Sequence, residues 1–210
     1  MAILHRHTFR GTFDDRPLPA GLVAQLQDQA EGEQSFLHHV TRPDDLIELE
    51  VMLSRADAEE QRSEAYRDEL AHWVHADPLA LDGVAADQDR SPGSALRQRD
   101  FTLSHPDVVD GSAPRADHPA VLILLTAADE PRSWLQAGQA LAAVLLRAAD
   151  QGAQAQPLGQ VTDALAHRIG LGRTLGLVGV PQLVLRVGPT RRGTATPRRD
   201  VADIMDSMAG

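Results

Sequence analysis

Two neighbouring stretches decide the fold of this chain: residues 120–126 read AVLILLT, and residues 131–150 read PRSWLQAGQALAAVLLRAAD. The first is short and almost wholly apolar, which is typical of a strand that is buried on both faces. The second begins with proline, a residue favoured at the first position of a helix, and is apolar nearly all round. The pair therefore predicts a buried strand followed by a helix that is central rather than peripheral.

The same patterns extend outward in both directions along the chain. Apolar residues at helical spacing and alternating apolar residues predict further helices and strands. The predicted helices cover residues 22–30, a long stretch from Pro43 to about His75, and residues 158–169 up to Gly170; the predicted strands cover residues 35–40 and 182–187. This order of elements predicts an α+β fold with one sheet and helices packed on it.

The length of 210 residues fits one large domain, residues 1–210. Residues 76–118 are dominated by Asp, Pro, Gly, Ser and Arg. A connection this long within a compact domain is typical of a lid or binding loop. We therefore predict a lid or excursion loop over 76–118, with a disordered middle as the alternative, and a C-terminal tail over 188–210.

Two residue types are missing from the sequence, and their absence excludes several chemistries. The chain has no Cys, which excludes disulfides, thiolate nucleophiles and Cys-ligated metals. It also has no Lys, because all 20 basic residues are Arg. A Walker A site, a Schiff-base lysine and pyridoxal-phosphate chemistry all need a lysine amine and are excluded.

The overall charge and hydropathy also limit the partners and the compartment. A net charge of −10, a pI of about 5.3 and 3% aromatic residues argue against nucleic acid and anionic membranes as partners. No apolar run approaches the ~20 residues that span a bilayer. Asp14, Asp15 and Pro17 stand where a signal peptide would be apolar, so we expect a cytoplasmic protein.

Basic residues are concentrated in two segments of this acidic chain. Residues 1–13 and 186–199 contain arginines but no acidic residue. If the two segments converge, their guanidinium groups form a pocket for an anion such as phosphate. The alternative is that both are ordinary solvated tails.

Four segments in order resemble the FMN-dependent nitroreductase family. The opening, Arg6-His-Thr-Phe-Arg-Gly-Thr-Phe13, resembles the family's Arg-(Arg/His)-(Ser/Thr)-x-(Arg/Lys)-x-Phe motif. The other three resemble its central helix and flavin-facing turn, its last core strand and its closing phosphate-binding segment; they are residues 134–152, 181–188 and 196–201. Within the family the chain looks similar to the second half of the Acg-type proteins, in which two unequal halves are fused.

The resemblance implies a nitroreductase-like fold, dimeric or pseudo-dimeric, with a central, mainly antiparallel sheet and an FMN site. Guanidinium and hydroxyl groups would hold the phosphate and ribityl chain, Arg10 would lie beside the flavin N1/O2 edge, and backbone groups near Pro157 would face N5. The implied cofactor-binding residues are Arg6, His7, Thr8, Arg10, Gln156, Pro157, Leu158, Arg198 and Arg199. No catalytic side chain is implied, because the flavin carries the redox chemistry.

The implied activity is NAD(P)H-dependent reduction of quinone or nitro-type acceptors. Two alternatives remain: a protein that sequesters flavin without turnover, and a degenerate half that serves as a partner subunit. No metal is expected, since His72 and His75 share a helix face without the third ligand that zinc usually requires.

One segment departs from the family pattern. The family's Pro-Ser-x-x-Asn-x-Gln-Pro-Trp segment should follow the first helix, but residues 29–36 read QAEGEQSF. The sequence therefore predicts half of a flavin site. Three alternatives remain: a homodimer partner completes it, a heteromeric second half completes it, or it stays incomplete. We expect the interface around Trp134–Leu146 and the helix after Pro43.

Overall fold

The computed structural model of the chain describes residues 2–75, 77, 80–85, 96, 99, 117–190 and 199–206. Its helices are α1 (Ala2–His5), α2 (Leu22–Gly32), α3 (Pro43–Glu60), α4 (Glu64–Trp73), α5 (Pro131–Asp150), α6 (Gln160–Asp163), α7 (Leu165–Thr174) and α8 (Val201–Asp206). Its strands are β1 (Phe36–Val40), β2 (Val74–His75), β3 (Val84–Ala85), β4 (Ala120–Thr126), β5 (Ala153–Leu158) and β6 (Val180–Pro189). Most of the predicted lid and tail lies outside the described residues.

Four strands form the main sheet in the order β1-β4-β6-β5, and every neighbouring pair is antiparallel. All seven residues of β4 are buried, as the apolar run over 120–126 predicts. In the register, Leu122 lies opposite Leu185 on one side and His39 on the other. The predicted α+β fold, with a mainly antiparallel sheet flanked by helices, is confirmed. The short strands β2 and β3 pair separately, in parallel.

Helices cover both faces of the sheet, and β4 supplies a core to each. Successive residues of a strand point to opposite faces. Leu122 and Leu124 pack with α2 and α5, whereas Val121 and Ile123 pack with α3 and α7. The sheet is therefore the middle of three layers.

Helix α5 buries one face in the single chain. Its small residues Ala137, Ala140 and Ala148 face the core, while the side chains of Trp134 and Leu135 are 51% and 67% exposed. The helix predicted to be central therefore leaves part of its apolar surface in solvent in the single chain, because its buried residues recur at three- and four-residue spacing along one face. Among the described residues, no helix is long and apolar enough to cross a membrane.

The long helix predicted after Pro43 is two helices. The chain leaves α3 after Glu60, and Ser63 adopts an extended conformation with φ −76° and ψ 123°. The Tyr66 amide donates a hydrogen bond to the Ser63 hydroxyl at 3.3 Å. Ser63 therefore caps α4, because its oxygen satisfies an amide that has no partner within the helix.

Strand β5 was missed by the sequence prediction. Its residues, AQAQPL, are weak strand formers, so their conformation comes from pairing with β6, as in Ala155 opposite Val187. The predicted helix over 158–169 is wrong at both ends. Leu158 ends β5, Ala164 is extended between α6 and α7, and α7 continues past Gly170 to Thr174.

The N-terminal segment runs beside β5 and then meets the end of β6. Thr8 forms a parallel bridge with Ala155, whose carbonyl accepts from the Phe9 amide at 3.0 Å. The Asp14 amide donates to the Pro189 carbonyl at 2.9 Å. The two basic segments, whose convergence the sequence left open, meet where Phe13 lies over Arg186 and Asp14 contacts Pro189. Strand β6 extends two residues into the predicted tail.

Candidate functional site

A cavity of about 290 Å³ opens where the N-terminal segment, the end of β5 and α6 meet. Five sequence-predicted site residues line it: Thr8, Arg10, Gln156, Pro157 and Leu158. The other lining residues are Arg99, Gly159, Gln160, Asp163 and Leu183. Ligand pockets usually span ~300–1,000 Å³, so this cavity is at the small end of that range.

The floor of the cavity is shaped by a tight turn from β5 into α6. The Gly159 carbonyl accepts from the Thr162 amide at 2.7 Å and from its hydroxyl at 3.0 Å. A Cβ atom at Gly159 would lie 3.1 Å from the Asp163 carboxylate oxygens, which is a tight approach. This turn brings Gln160 and Asp163 to the cavity directly after the strand that carries Gln156.

Arg10 and Thr8 supply donors on the N-terminal side of the cavity. Arg10 is partly buried, and burial lowers the pKa of its guanidinium from the ordinary value. An arginine nevertheless stays protonated in proteins, so the group remains a cation with directed donors. A partly desolvated cation on a cavity wall favours an anionic or electron-rich ligand.

Sequence reasoning missed Arg99, which lies within the predicted lid and yet lines the cavity. One nitrogen, Nη2, donates to Glu60 Oε1 at 2.9 Å and to Asp163 Oδ2 at 2.8 Å. Its guanidinium carbon lies 5.6 Å from the centre of the Tyr66 ring. No local motif marks Arg99, because its partners come from α3, α4 and α6.

The groups around Arg99 have shifted ionisation. Burial raises the pKa of Tyr66 to about 12, and the positive charge of Arg99 opposes this only in part. Burial also raises the pKa of Glu60, again opposed by Arg99. The Tyr66 phenol therefore stays protonated at neutral pH and is no base there.

The remaining predicted site residues do not line the cavity, as far as the structure describes the chain. Arg6 and His7 precede Thr8, and the His7 Nδ1 donates to the His5 carbonyl at 3.0 Å. The Arg199 guanidinium pairs with Asp82, with Nε 3.0 Å from Oδ1. Arg198 lies outside the described residues.

Arg186, counted with the second basic segment, is not accessible to a ligand in solution. Its side chain is fully buried and pairs with the equally buried Asp117. Burial lowers the pKa of Arg186, and the charge of Asp117 opposes that shift. This arginine serves an internal contact, which the sequence pattern alone could not distinguish from a surface cation.

The segment that departs from the family pattern comprises the last residues of α2, the turn after it and the first residue of β1. Gln34 there has a φ of +57°, and Ser35 is completely buried. None of residues 29–36 is among the described residues that line the cavity. Within this chain, the cavity therefore has no wall from that segment.

A second groove of about 530 Å³ lies between α7 and the start of β6. Apolar residues such as Leu165, Ile169 and Val180 line it, and an ion pair between Arg168 and Asp129, 2.7 Å apart, borders it. None of the sequence-predicted site residues that the structure describes lines this groove. By size alone, the groove would be the better candidate for a ligand site. The hydrogen-bond donors that the sequence predicts, however, lie in the smaller cavity.

Solved structures of nitroreductases share the fold. A nitroreductase with bound FMN from Desulfitobacterium hafniense matches with a TM-score of 0.58 at 11% identity, over 96% of this chain and 93% of that one. A structure of iodotyrosine deiodinase bound to FMN and 3-iodo-L-tyrosine matches with a TM-score of 0.59 at 12% identity, over 95% and 94%.

Comparisons with known sequences identify the family of the chain. Two proteins of Mycobacterium tuberculosis named as NAD(P)H nitroreductases, from strains CDC 1551 and H37Rv, are each 28% identical over 98% of this chain. The chain spans 60% of the length of these curated relatives. The model of the nitroreductase family matches residues 3–189, which include β1, β4, β5, β6 and the cavity. The chain therefore belongs to the nitroreductase family.

Proposed function

We propose that this chain binds FMN at the cavity beside Arg10 and uses it to reduce small quinone or nitro-type acceptors with NAD(P)H. The observation that carries the proposal is the cavity, which unites Thr8, Arg10 and residues 156–158 in a member of the nitroreductase family. Related folds contain bound FMN, and relatives are named as NAD(P)H nitroreductases. When bound, FMN accepts hydride and passes electrons onward.

The residues of the cavity fit such a ligand. Thr8 and Arg10 offer hydroxyl and guanidinium donors, while Pro157, Leu158 and Leu183 offer apolar walls for a planar ring. The resemblance implies Arg6, Thr8, Arg198 and Arg199 for the phosphate and ribityl chain, and of these Thr8 lines the cavity. The described side chains supply binding and orientation, and none is required as a general base.

We further propose that the site is completed by a second nitroreductase-like half. The aligned chain makes up 60% of its relatives' length, which agrees with a resemblance to the second half of the fused Acg-type proteins. The cavity is small for a whole FMN and lacks a wall from residues 29–36. That half is either another copy of this chain or a different subunit.

We expect a homodimer at micromolar concentration, because large apolar side chains are exposed on α5, β1 and α3. Trp134, Leu135, Phe36 and Ile47 are between 49% and 67% exposed. Helices α5 and α3 cover opposite faces of the sheet, and β1 is one of its edge strands. Obligate interfaces bury more than ~2,000 Å².

Sedimentation of the wild-type chain should give twice the chain mass, and the variant Trp134→Asp should give the mass of a single chain.

The matched control for that prediction is Val178→Asp, which introduces the same charge at a position that is 90% exposed in a loop. It should leave the dimer intact. A wild-type chain that sediments as a monomer contradicts the homodimer and favours the heteromeric second half.

The proposed function is tested on the full chain. We expect purified protein, supplied with FMN, to retain it through gel filtration and to show visible flavin absorption. It should then consume NADH or NADPH in the presence of a quinone or a nitroaromatic compound. Binding without consumption supports the alternative of a flavin store, whereas no binding at all contradicts both readings and favours a partner subunit.

A further inference from the structure

An ion pair that is wholly inaccessible to solvent lies behind the cavity. The side chains of Arg186 on β6 and of Asp117, just before β4, are both 0% exposed. Arg186 Nη2 donates to Asp117 Oδ2, and Nη1 donates to Gln156 Oε1 at 2.6 Å. Arg186 and Gln156 are also opposite each other in the β5–β6 register. The guanidinium therefore holds a side chain of the strand that forms the cavity wall.

The same ion pair also holds the N-terminal segment. The Phe13 amide donates to Asp117 Oδ2 at 3.2 Å. The Phe13 ring lies over the guanidinium, with its centre 5.0 Å from Arg186 Cζ. The carboxylate oxygen that binds Arg186 thus also fixes the backbone three residues after Arg10.

The cost of burying these charges indicates that the pair does more than add stability. Removing two ions from water costs several kcal/mol each, and well-packed apolar replacements are often neutral or stabilising. Strand β5 is already held by its ladder to β6. The N-terminal segment, in contrast, joins the sheet through scattered amides such as those of Phe9 and Asp14. The pair is a buried side-chain link between the two walls of the cavity.

We propose that Arg186 and Asp117 are positioning residues of the cofactor cavity, which fix the N-terminal segment bearing Thr8 and Arg10 relative to the end of β5. Neither residue is among the described residues that line the cavity. They act through Gln156 on one side and through the Phe13 backbone on the other. The identity of the ligand rests on the proposed function, whereas the link between the walls does not.

The test uses the double variant Arg186→Met/Asp117→Asn, which removes both charges together. The neutral asparagine oxygen is a weaker acceptor for the Phe13 amide than the Asp117 carboxylate, and Gln156 loses its donor. We expect the melting temperature to stay within about 5 °C of wild type, because no lone charge is left buried. We expect the Kd for FMN to rise about tenfold or more, with an altered visible circular dichroism spectrum of the bound flavin.

A second variant, Arg186→Lys, keeps the charge opposite Asp117 but cannot donate in a planar fork to both partners. It should also weaken FMN binding and alter the visible circular dichroism of the flavin, both to a smaller extent than the double variant does. If either folded variant binds FMN with wild-type Kd and wild-type spectrum, the proposal is overturned. A fall in melting temperature without these changes means a merely structural pair, which also overturns it.

A readout without flavin separates this proposal from the proposed function. In the ligand-free chain, hydrogen exchange at the amides of Phe9 and Phe13 should be faster in both variants than in wild type. If wild type binds no FMN, the proposed function fails, and hydrogen exchange alone then decides whether the ion pair links the walls. Faster exchange in the variants supports that link. Unchanged exchange overturns the proposal of a link.

Discussion

Replacement of Arg10 by alanine is expected to weaken FMN binding by about 1.5–3 kcal/mol, which is roughly a 10- to 150-fold rise in Kd. Arg10 is a partly buried cation on the wall of the cavity, so water cannot fully replace the hydrogen bonds that it gives to a ligand. Fluorescence titration with FMN measures the change. Arg42→Ala is the matched control, because the Arg42 side chain is 73% exposed at the start of α3.

The same variant should also lower the midpoint potential of the bound flavin. A positive charge near the flavin ring favours the reduced, negatively charged form over the neutral oxidised form. NAD(P)H consumption should therefore slow even at saturating FMN. If Arg10→Ala binds FMN as wild type does and keeps its potential, Arg10 has no role in the site and the cavity is assigned wrongly.

Replacement of Leu122 by alanine is expected to destabilise the fold by about 3–5 kcal/mol. Leu122 is completely buried on the inner strand β4 and packs in the core between the sheet and helices α2 and α5. Its neighbours on both adjacent strands are fixed by the register, so the lost volume cannot be refilled by a small shift. Thermal unfolding should show a melting temperature lower by roughly 6–20 °C.

The control for this change is Val178→Ala, since Val178 is 90% exposed. It should alter the free energy of unfolding by no more than about 0.5 kcal/mol. Equal losses in the two variants would mean that the core between sheet and α5 is not packed as described. A fall in the free energy of unfolding for Leu122→Ala, with none for Val178→Ala, identifies β4 as the centre of the fold.

Strong local patterns allowed most of the fold to be predicted. The apolar run of β4, the proline at the start of α5 and the amphipathic spacing of α2 each agree with the structure. These elements are encoded by neighbouring residues, which is why they can be read from one sequence. The opening motif likewise indicated Thr8 and Arg10, which the structure places in one cavity.

Contacts between distant residues account for what the sequence did not reveal. Strand β5 has weak intrinsic preference and becomes a strand through its pairing with β6. Arg99 reaches the cavity because Glu60 and Asp163, far apart in sequence, meet there. Arg186 resembles any other arginine of a basic segment until folding places Asp117 and Gln156 beside it. The sequence by itself determined the core elements and the candidate donors of the cavity, because periodicity and motifs are local. Only the tertiary structure decided which cations face the cavity and which are buried, because ion pairs depend on proximity in space.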